Sequence, residues 1–253
     1  MKILHISDLH FGMNHRHMIQ PFLDDVNSIN PDGIIISGDL TQRAKSEQFE
    51  ELRNNFLDKL NTNLVVVPGN HDVPLYNFIS RILIPYKNYN KHIRLNYPSC
   101  LQNSQCNILG IDSTFPIQVK NGRIRDRSFQ EMSSFFGDKN KINILTFHHN
   151  IDRVEGAHRP LLNHQEFLSY LKQSNINIVC TGHLHKTHCV QIEKEDGTKC
   201  LVLHVGSLLC TRSKDGFNGY FVINLPDQHH CDVELRIFKN NRFVLENTSS
   251  FEI

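Results

Sequence analysis

The sequence carries almost no net charge and has no long run of hydrophobic residues. Its 253 residues contain 27 Lys plus Arg against 26 Asp plus Glu, a formal net charge of +1. Such a balance provides no broad basic field for the phosphates of a long nucleic acid, so it disfavours that class of partner. The longest hydrophobic runs, such as residues 33–36 and 64–67, are far shorter than the roughly 20 residues of a membrane helix. No transmembrane segment is therefore predicted.

Paired cysteines and sorting signals are also missing. The seven cysteines are odd in number and include no C-x-x-C pair, which argues against a zinc ribbon and favours reduced, buried thiols. The residues after Met1 lack the apolar stretch and cleavage site of a secretory signal, so we expect a cytoplasmic protein. No repeat, low-complexity tract or flexible linker interrupts the chain, and we predict a single domain over residues 1–253.

Strand and helix patterns alternate in the first part of the chain. Alternating residues predict a strand over residues 2–7, and apolar runs predict strands over 34–37 and 64–67. Apolar residues at helical spacing predict helices over 19–29 and 44–60, with Ser46 as the candidate cap of the second. This βαβαβ order predicts parallel strands, whose ligands bind beyond their carboxyl ends. Further predicted strands are 107–111, 142–147, 176–180, 187–193, 199–205, 220–225 and 232–238, the last four as antiparallel hairpins, and further predicted helices are 75–86, 127–136 and 164–173.

Five short segments with metal-ligating side chains each follow a predicted strand. They are Asp8-Leu9-His10, Gly38-Asp39, Gly69-Asn70-His71-Asp72, His148-His149 and Gly182-His183-Leu184-His185. Each motif alone is weak evidence, because a single histidine at a strand end is more often structural than a ligand. Five in this order, all at strand ends, predict one shared metal site at the edge of a parallel sheet.

The order D-x-H, G-D, G-N-H-D, H and G-H-x-H resembles the motif pattern of the calcineurin-like metallophosphoesterase superfamily, from residue 8 to residue 185. The strings at residues 4–12, 37–41 and 67–74 more closely resemble the bacterial branch that includes class III 3′,5′-cyclic-nucleotide phosphodiesterases. This resemblance implies an α/β fold, a four-layer α/β/β/α sandwich of two mixed sheets.

The resemblance also implies two metal ions and a role for each motif residue. The implied ligands are Asp8, His10 and His185 for one ion, Asn70, His148 and His183 for the other, and Asp39 for both. Mixed nitrogen and oxygen donors suit Mn, Fe or Zn better than Mg or Ca. Two such ions acidify a shared water for in-line attack on phosphorus. His71 is implied to protonate the leaving oxygen, with Asp72 orienting or activating that imidazole.

These roles predict a phosphoric ester hydrolase, with a small phosphodiester such as a cyclic nucleotide as substrate. One alternative is a pyrophosphatase on a nucleotide-activated lipid precursor such as UDP-diacylglucosamine, which would use the apolar segment after Pro74. The helical spacing of residues 76–84 instead favours packing in the core. Another alternative is a non-catalytic scaffold, although none of the implied ligands is missing. A DNA nuclease would bring a basic surface that the composition does not show.

Two residues near the motifs are open to more than one interpretation. Arg43 lies four residues after Asp39 and could bind a substrate phosphate. It could equally be a solvated side chain at the start of a helix or the partner of a nearby acidic residue. His149 follows the implied ligand His148 and could contact substrate or merely pack, because adjacent residues near a strand end point in opposite directions.

Overall fold

Two six-stranded sheets form the framework of the protein in a computed structural model, which describes residues 1–76, 78–154 and 158–253. The strands are β1 (Lys2–Ile6), β2 (Gly33–Ile36), β3 (Asn63–Val66), β4 (Cys100–Gln102), β5 (Cys106–Gly110), β6 (Ile142–Thr146), β7 (Ile178–Thr181), β8 (His188–Glu193), β9 (Lys199–His204), β10 (Gly219–Asn224), β11 (His230–Lys239) and β12 (Arg242–Glu252). The α-helices are α1 (Ile19–Ile29), α2 (Ser46–Asn55), α3 (Phe78–Leu83), α4 (Lys87–Tyr89), α5 (Asp126–Phe135) and α6 (His164–Gln173).

Both sheets are mixed. The first has the order β12-β11-β10-β1-β2-β3, in which β1, β2 and β3 are parallel and β10 joins β1 antiparallel. The second has the order β4-β5-β6-β7-β9-β8, in which β5, β6, β7 and β9 are parallel and the two edge strands are antiparallel. The predicted hairpins β8–β9 and β10–β11 are both present.

Alternating side chains on the strands build a core on each face of each sheet. Ile3 and Ile35 lie in the apolar layer between the two sheets, whereas Leu4 and Ile34 pack with the buried residues of α1 and α2. On the far side, the second sheet packs against α5 and α6 through residues that include Phe167. The layers are thus helix, sheet, sheet and helix, which confirms the predicted sandwich.

Helix α2 is shorter than the sequence predicts. The backbone of Phe56 departs from helical geometry at φ −138°, and a 3₁₀ turn follows at Leu57–Lys59. The predicted capping by Ser46 is wrong, because Lys45 occupies the N-cap position and the Ser46 hydroxyl contacts Glu50 and His92. The apolar residues continue at helical spacing through the 3₁₀ turn, so the sequence pattern predicts a single helix over residues 44–60.

The sequence did not predict strand β12. Strand β12 is mostly exposed, so its sequence lacks the apolar alternation that marks a half-buried strand. It pairs with β11 across Asn240 and Asn241, whose φ values of 52° and 62° suit a tight hairpin turn.

Helix α3 is shorter than its predicted range of 75–86, of which Asn77 and the Phe78 side chain lie outside the described part of the chain. Within the described ranges, no helix is both long and apolar enough to cross a lipid bilayer.

Candidate metal centre

The motif residues converge at the carboxyl ends of strands from both sheets. Asp8 and Asp39 follow β1 and β2 of the first sheet, while His148 and His183 follow β6 and β7 of the second. The expectation that one sheet edge carries all five motifs is therefore corrected. The main-chain N–H of His183 donates to Asp8 Oδ2 at 3.0 Å, so the two edges meet directly.

Five of the motif residues have left-handed backbones. The φ values are 55° for Asp8, 48° for His10, 50° for Asp39, 69° for His183 and 54° for His185. Such conformations cost about 1–3 kcal/mol each and persist only where the surroundings enforce them. All five side chains are buried. The fold thus stores backbone strain where it gathers polar side chains out of water.

The first group of donor atoms surrounds Asp8. Its Oδ1 atom lies 3.2 Å from His185 Nε2 and 3.5 Å from His10 Nε2. The two Nε2 atoms are themselves 3.2 Å apart, and His10 Nε2 lies 3.4 Å from Asp39 Oδ2. Asp8, His10, Asp39 and His185 can each offer one ligand atom within 4.8 Å of the others.

The second group faces the other oxygen of Asp39. His148 Nε2 lies 3.3 Å from Asp39 Oδ1 and 3.2 Å from His183 Nδ1. Asn70 lines the same cavity as Asp39 and His183. The two carboxylate oxygens of Asp39 therefore face two different sets of donors.

The donor set fits metal ions. Asp8 Oδ1 and Asn70 Oδ1 are buried and accept no hydrogen bond within the described residues, an arrangement that would cost about 1–3 kcal/mol per atom if nothing compensated it. Donor spacings of 3.2 to 3.5 Å match the roughly 3.4 Å edge of a tetrahedron with ligand bonds near 2.1 Å. His148 Nδ1 donates to the carbonyl oxygen of Ser37 at 2.8 Å, which leaves the Nε2 lone pair free for an ion.

Opposite charges dominate the electrostatics of the site. Burial opposes a charge on His148, yet Asp39 outweighs burial and raises the pKa of His148 to about 9. Asp8 acts in the same way on His185, whose pKa rises to about 10. Burial also opposes ionisation of Asp8 and Asp39, but His185 and His148 respectively hold their pKa values well below the usual range. The site thus attracts cations, and a metal ion competes with protons for the same imidazoles.

His71 stands beside these groups in a half-buried position. Its Nδ1 atom donates to the carbonyl oxygen of Gln42 at 3.0 Å, and its main-chain N–H donates to Asp39 Oδ1 at 2.8 Å. The His71 ring packs edge-on against His10, with centroids 4.8 Å apart. Its Nε2 atom is the ring nitrogen left for a substrate.

Asp72 does not orient this imidazole directly, which corrects the role expected for it. Its carboxylate accepts hydrogen bonds of 2.8 to 3.0 Å from the main-chain N–H groups of Leu40, Thr41 and Gly69 and from the Thr41 hydroxyl. Burial, with Asp39 as the next cause, raises the pKa of Asp72 to about 6, while these donors oppose the shift. Asp72 joins the loops after β2 and β3, and the Gln42 carbonyl holds the ring.

His149 lies buried among the histidines of the site. It is buried, its Nδ1 accepts a 2.8 Å hydrogen bond from the Ser113 hydroxyl, and its ring lies 4.6 Å from that of His183. Ser113 Oγ also accepts hydrogen bonds from the main-chain N–H groups of His148 and His149. It therefore fixes the backbone of the tandem histidines, a role that no sequence motif indicated.

Cys210 was also missed as a neighbour of the site. It can offer its sulfur within 4.8 Å of ligand atoms from His10 and His185. The sequence predicts only that the cysteines are reduced and buried, and Cys210 forms no recognisable motif with His10 or His185. Only the long return of the chain after β9 brings it here.

The centre opens into a cavity of about 350 Å³. Its lining includes His71 and His183 and four cationic side chains, those of Arg43, Lys120, Arg212 and Lys214. Arg43 therefore lies where a phosphate bound in the cavity would be within its reach. A cationic lining of this kind suits an anionic substrate.

Comparisons with known proteins agree with this geometry. The family model for calcineurin-like phosphoesterases matches residues 1–187. The chain is 25% identical over 253 residues to a probable cyclic nucleotide phosphodiesterase of Coxiella burnetii, covering 91% of this chain and 96% of the relative. It is 27% identical over 213 residues to a similarly named protein of Pseudoalteromonas, covering 78% of this chain and 76% of that one.

A solved structure supports the fold. A dimetal phosphatase of Danio rerio superposes with a TM-score of 0.64 at 10% identity, covering 96% of this chain and 98% of that one. The predicted resemblance to bacterial phosphodiesterases is confirmed by the two curated relatives. With its family match over most of its length, the chain belongs to the calcineurin-like phosphoesterase family and is a metal-dependent phosphoesterase.

Proposed function

We propose that the protein hydrolyses a small phosphodiester, with a 3′,5′-cyclic nucleotide as the leading substrate, at a centre of two metal ions. One observation carries this proposal: the two oxygens of Asp39 face two separate sets of donors, 3.4 Å from His10 and 3.3 Å from His148. A carboxylate placed between two sets of ligands is suited to bridge two ions.

The proposed ligands follow from these sets. Asp8, His10 and His185 would hold one ion, Asn70, His148 and His183 would hold the other, and Asp39 would contribute to both. The mixture of imidazole nitrogen with carboxylate and amide oxygen favours Mn, Fe or Zn. Two such ions would supply an activated water molecule and positive charge that neutralises the phosphoryl group.

The protein's own groups complete the chemistry. The Gln42 carbonyl accepts a hydrogen bond from Nδ1–H of His71, which leaves the opposite nitrogen, Nε2, available to a substrate in the cavity. In this proposal, protonated Nε2 gives its proton to the leaving oxygen as the ester bond breaks. Arg43, Arg212 and Lys214 line the cavity and offset the negative charge of the bound phosphate.

The substrate class rests on size, charge and relatives. A cavity of about 350 Å³ lies at the small end of ligand sites, which are about 300–1,000 Å³. Its cationic lining suits an anion, and both curated relatives are named as probable cyclic nucleotide phosphodiesterases. We further propose that the whole chain acts as one catalytic domain and works in the cytoplasm, where its cysteines, all free in the structure, would stay reduced.

The test is a steady-state assay of metal-stripped protein reloaded separately with Mn²⁺, Fe²⁺ or Zn²⁺. Cyclic AMP, bis-p-nitrophenyl phosphate and p-nitrophenyl phosphate are compared as substrates. We expect metal-dependent turnover, faster for the two diesters than for the monoester. Asp39→Asn should lower kcat by at least about 1,000-fold, in the range of lost electrostatic catalysis, whereas Asp24→Asn, a change at an exposed helix position, should match wild type.

Two results would contradict the proposal. Failure to turn over any substrate despite two bound ions per chain would favour a scaffold. Hydrolysis of a nucleotide-activated lipid pyrophosphate with cyclic AMP untouched would replace the proposed substrate while leaving the metal centre in place.

A further inference from the structure

Charge is unevenly distributed along the chain. Residues 73–125, which we term the basic excursion, contain seven Lys or Arg and a single acidic residue, Asp112, in a chain whose net charge is only +1. Asp112 is itself neutralised, because its Oδ2 lies 3.1 Å from Arg125. Lys87, Lys91 and Arg94 are exposed. The balanced overall composition therefore conceals a segment that is strongly basic.

Helix α3, within this excursion, exposes its apolar face to solvent and buries an arginine. Ile79, Ile82 and Leu83 occupy one face at helical spacing, and 70% of Ile79 and 73% of Leu83 are exposed to solvent. Arg81 is buried instead, and its guanidinium donates to the carbonyl oxygens of Pro74, Pro116 and Gln118. The prediction that this segment packs in the core is wrong. Helical spacing identifies an apolar face but not the direction in which that face points.

The contacts of Arg81 join α3 to the loop at residues 116–118. Ile117 in that loop is 72% exposed, and Tyr76, which precedes the helix, is 80% exposed. We call Tyr76, Ile79, Ile82, Leu83 and Ile117 the apolar patch. Exposed large hydrophobic side chains gathered in this way mark an interaction surface.

The apolar patch borders the mouth of the metal centre. Leu75, which directly precedes Tyr76, and Val119, two residues after Ile117, both line the cavity. Arg43, also in the cavity lining, places its guanidinium carbon 5.2 Å from the centre of the Tyr76 ring. A partner that covers the apolar patch would therefore lie at the entrance to the site.

We propose that the apolar patch and the basic residues of the excursion dock onto the surface of a lipid bilayer with anionic headgroups. Among these basic residues, Lys87 lines the same groove as Ile84, which directly follows α3. Exposed Ile, Leu and Tyr side chains can enter the boundary between headgroups and acyl chains, while Lys and Arg contact the negative surface. A nucleic acid would use the positive charge but would leave the exposed isoleucines in water. The scarcity of acidic residues throughout the basic excursion complements a surface of uniformly negative charge. Docking in this way holds the cavity mouth near the membrane.

The test is flotation of the full-length, metal-loaded protein with vesicles of phosphatidylcholine alone or with one part in three phosphatidylglycerol. We expect binding to the anionic vesicles, weakened by high salt. The double variant Ile79→Ser/Leu83→Ser should bind at least about tenfold more weakly, because two apolar side chains lose their burial. Lys87→Glu should weaken binding by about fivefold or more.

A matched control is available in Leu245→Ser, which changes a 51% exposed residue of β12 outside the basic excursion. It should bind like wild type, and all variants should keep wild-type turnover of a soluble diester. Absence of binding to anionic vesicles, or equal binding by wild type and the double variant, would overturn the proposal. So would tighter binding to duplex DNA than to anionic vesicles. Binding is measured without substrate, so the result does not depend on the proposed activity.

Discussion

His148 Nδ1 donates a 2.8 Å hydrogen bond to the carbonyl oxygen of Ser37. Ser37 directly follows β2 of the first sheet, whereas His148 follows β6 of the second. This bond therefore joins the two sheets at the metal centre and fixes which nitrogen of His148 faces Asp39. The same contact thus links the two sheets and orients the ring of a proposed ligand.

Removal of His71 should slow the hydrolysis of substrates with poor leaving groups most. For His71→Ala we expect a loss of about 100- to 10,000-fold in kcat with cyclic AMP, because no proton reaches the alkoxide leaving oxygen. With bis-p-nitrophenyl phosphate, whose leaving group is stable without a proton, the loss should be at least tenfold smaller. Steady-state kinetics with both substrates measure the difference. An equal loss with both would contradict the role of His71 as a proton donor, and His230→Ala, at an exposed position, is the control.

The metal-free protein should become less stable as the pH rises above neutrality. His148 and His185 have pKa values raised to about 9 and about 10 in the folded state, against about 6.5 in an unfolded chain. Their contribution to the free energy of unfolding is complete below pH 6.5 and is lost as the pH rises through 9 and 10. Thermal unfolding of the stripped protein should therefore show a Tm several degrees lower at pH 10 than at pH 7.

Saturating Mn²⁺ should remove this decline, because the ions replace the protons. His185→Asn should also flatten the pH profile of the stripped protein, whereas His230→Asn, at an exposed position, should leave it unchanged. A Tm of the stripped wild type that stays constant or rises between pH 7 and 10 would show that the two histidines are not held protonated by Asp39 and Asp8.

Gly69 should not tolerate a side chain, because Asp39 occupies the space that a Cβ atom would need. A Cβ atom there would lie well under 3.0 Å from the main-chain nitrogen and Oδ1 of Asp39. Gly69→Ala should destabilise the fold by about 1–3 kcal/mol and lower kcat by about 100-fold through displacement of Asp39. Urea unfolding and the diester assay test both effects. Gly137→Ala is the matched control, since its nearest contact would be 3.9 Å away; equal behaviour of the two variants would refute the argument.

Asp152 should stabilise the loop after His149. His204 Nε2 lies 2.8 Å from its Oδ1, His188 Nε2 lies 3.2 Å from its Oδ2, and the two rings stack with centroids 4.1 Å apart. Despite the cost of partial burial, hydrogen bonds from His188 and His204 hold the pKa of Asp152 below its usual range. This stabilisation is present above pH 3.8 and is lost at lower pH. Asp152→Ala should lower the free energy of unfolding at pH 7 by about 1–3 kcal/mol.

Urea unfolding at pH 7 measures this change, with Asp24→Ala as an exposed control. Equal midpoints for Asp152→Ala and wild type would contradict the stabilising role. In that case the stacked histidines would hold the loop without the carboxylate.

The sequence allowed ten of the twelve strands and the ligand motifs to be predicted, because both depend on local patterns; β4 and β12 were not predicted. Short runs of β-branched residues such as 34–36 are typical of buried strands, and polar residues that follow such a run lie at the end of the strand. The partners of His71 and His148 could not be predicted in this way. The carbonyl groups of Gln42 and Ser37 belong to the backbone, so the side chains of those residues give no signal.

The direction in which α3 faces shows a second limit. Its apolar spacing is ordinary, and only the three carbonyl contacts of Arg81 in the folded chain reveal that the apolar side points outward. Strand β12 shows a third limit, because an exposed edge strand needs no apolar pattern. Each failure concerns a feature that depends on residues distant in sequence.

The central claim is that Asp39 joins two metal ions, and electron paramagnetic resonance of the protein loaded with two equivalents of Mn²⁺ tests it most directly. Two Mn²⁺ ions bridged by one carboxylate give an exchange-coupled spectrum, whereas separate ions give the six-line spectrum of isolated Mn²⁺. We predict a coupled spectrum for wild type and for Asp24→Asn, and loss of the coupling in Asp39→Asn. A six-line spectrum in the wild type at two equivalents, or saturation at one ion per chain, would contradict the account.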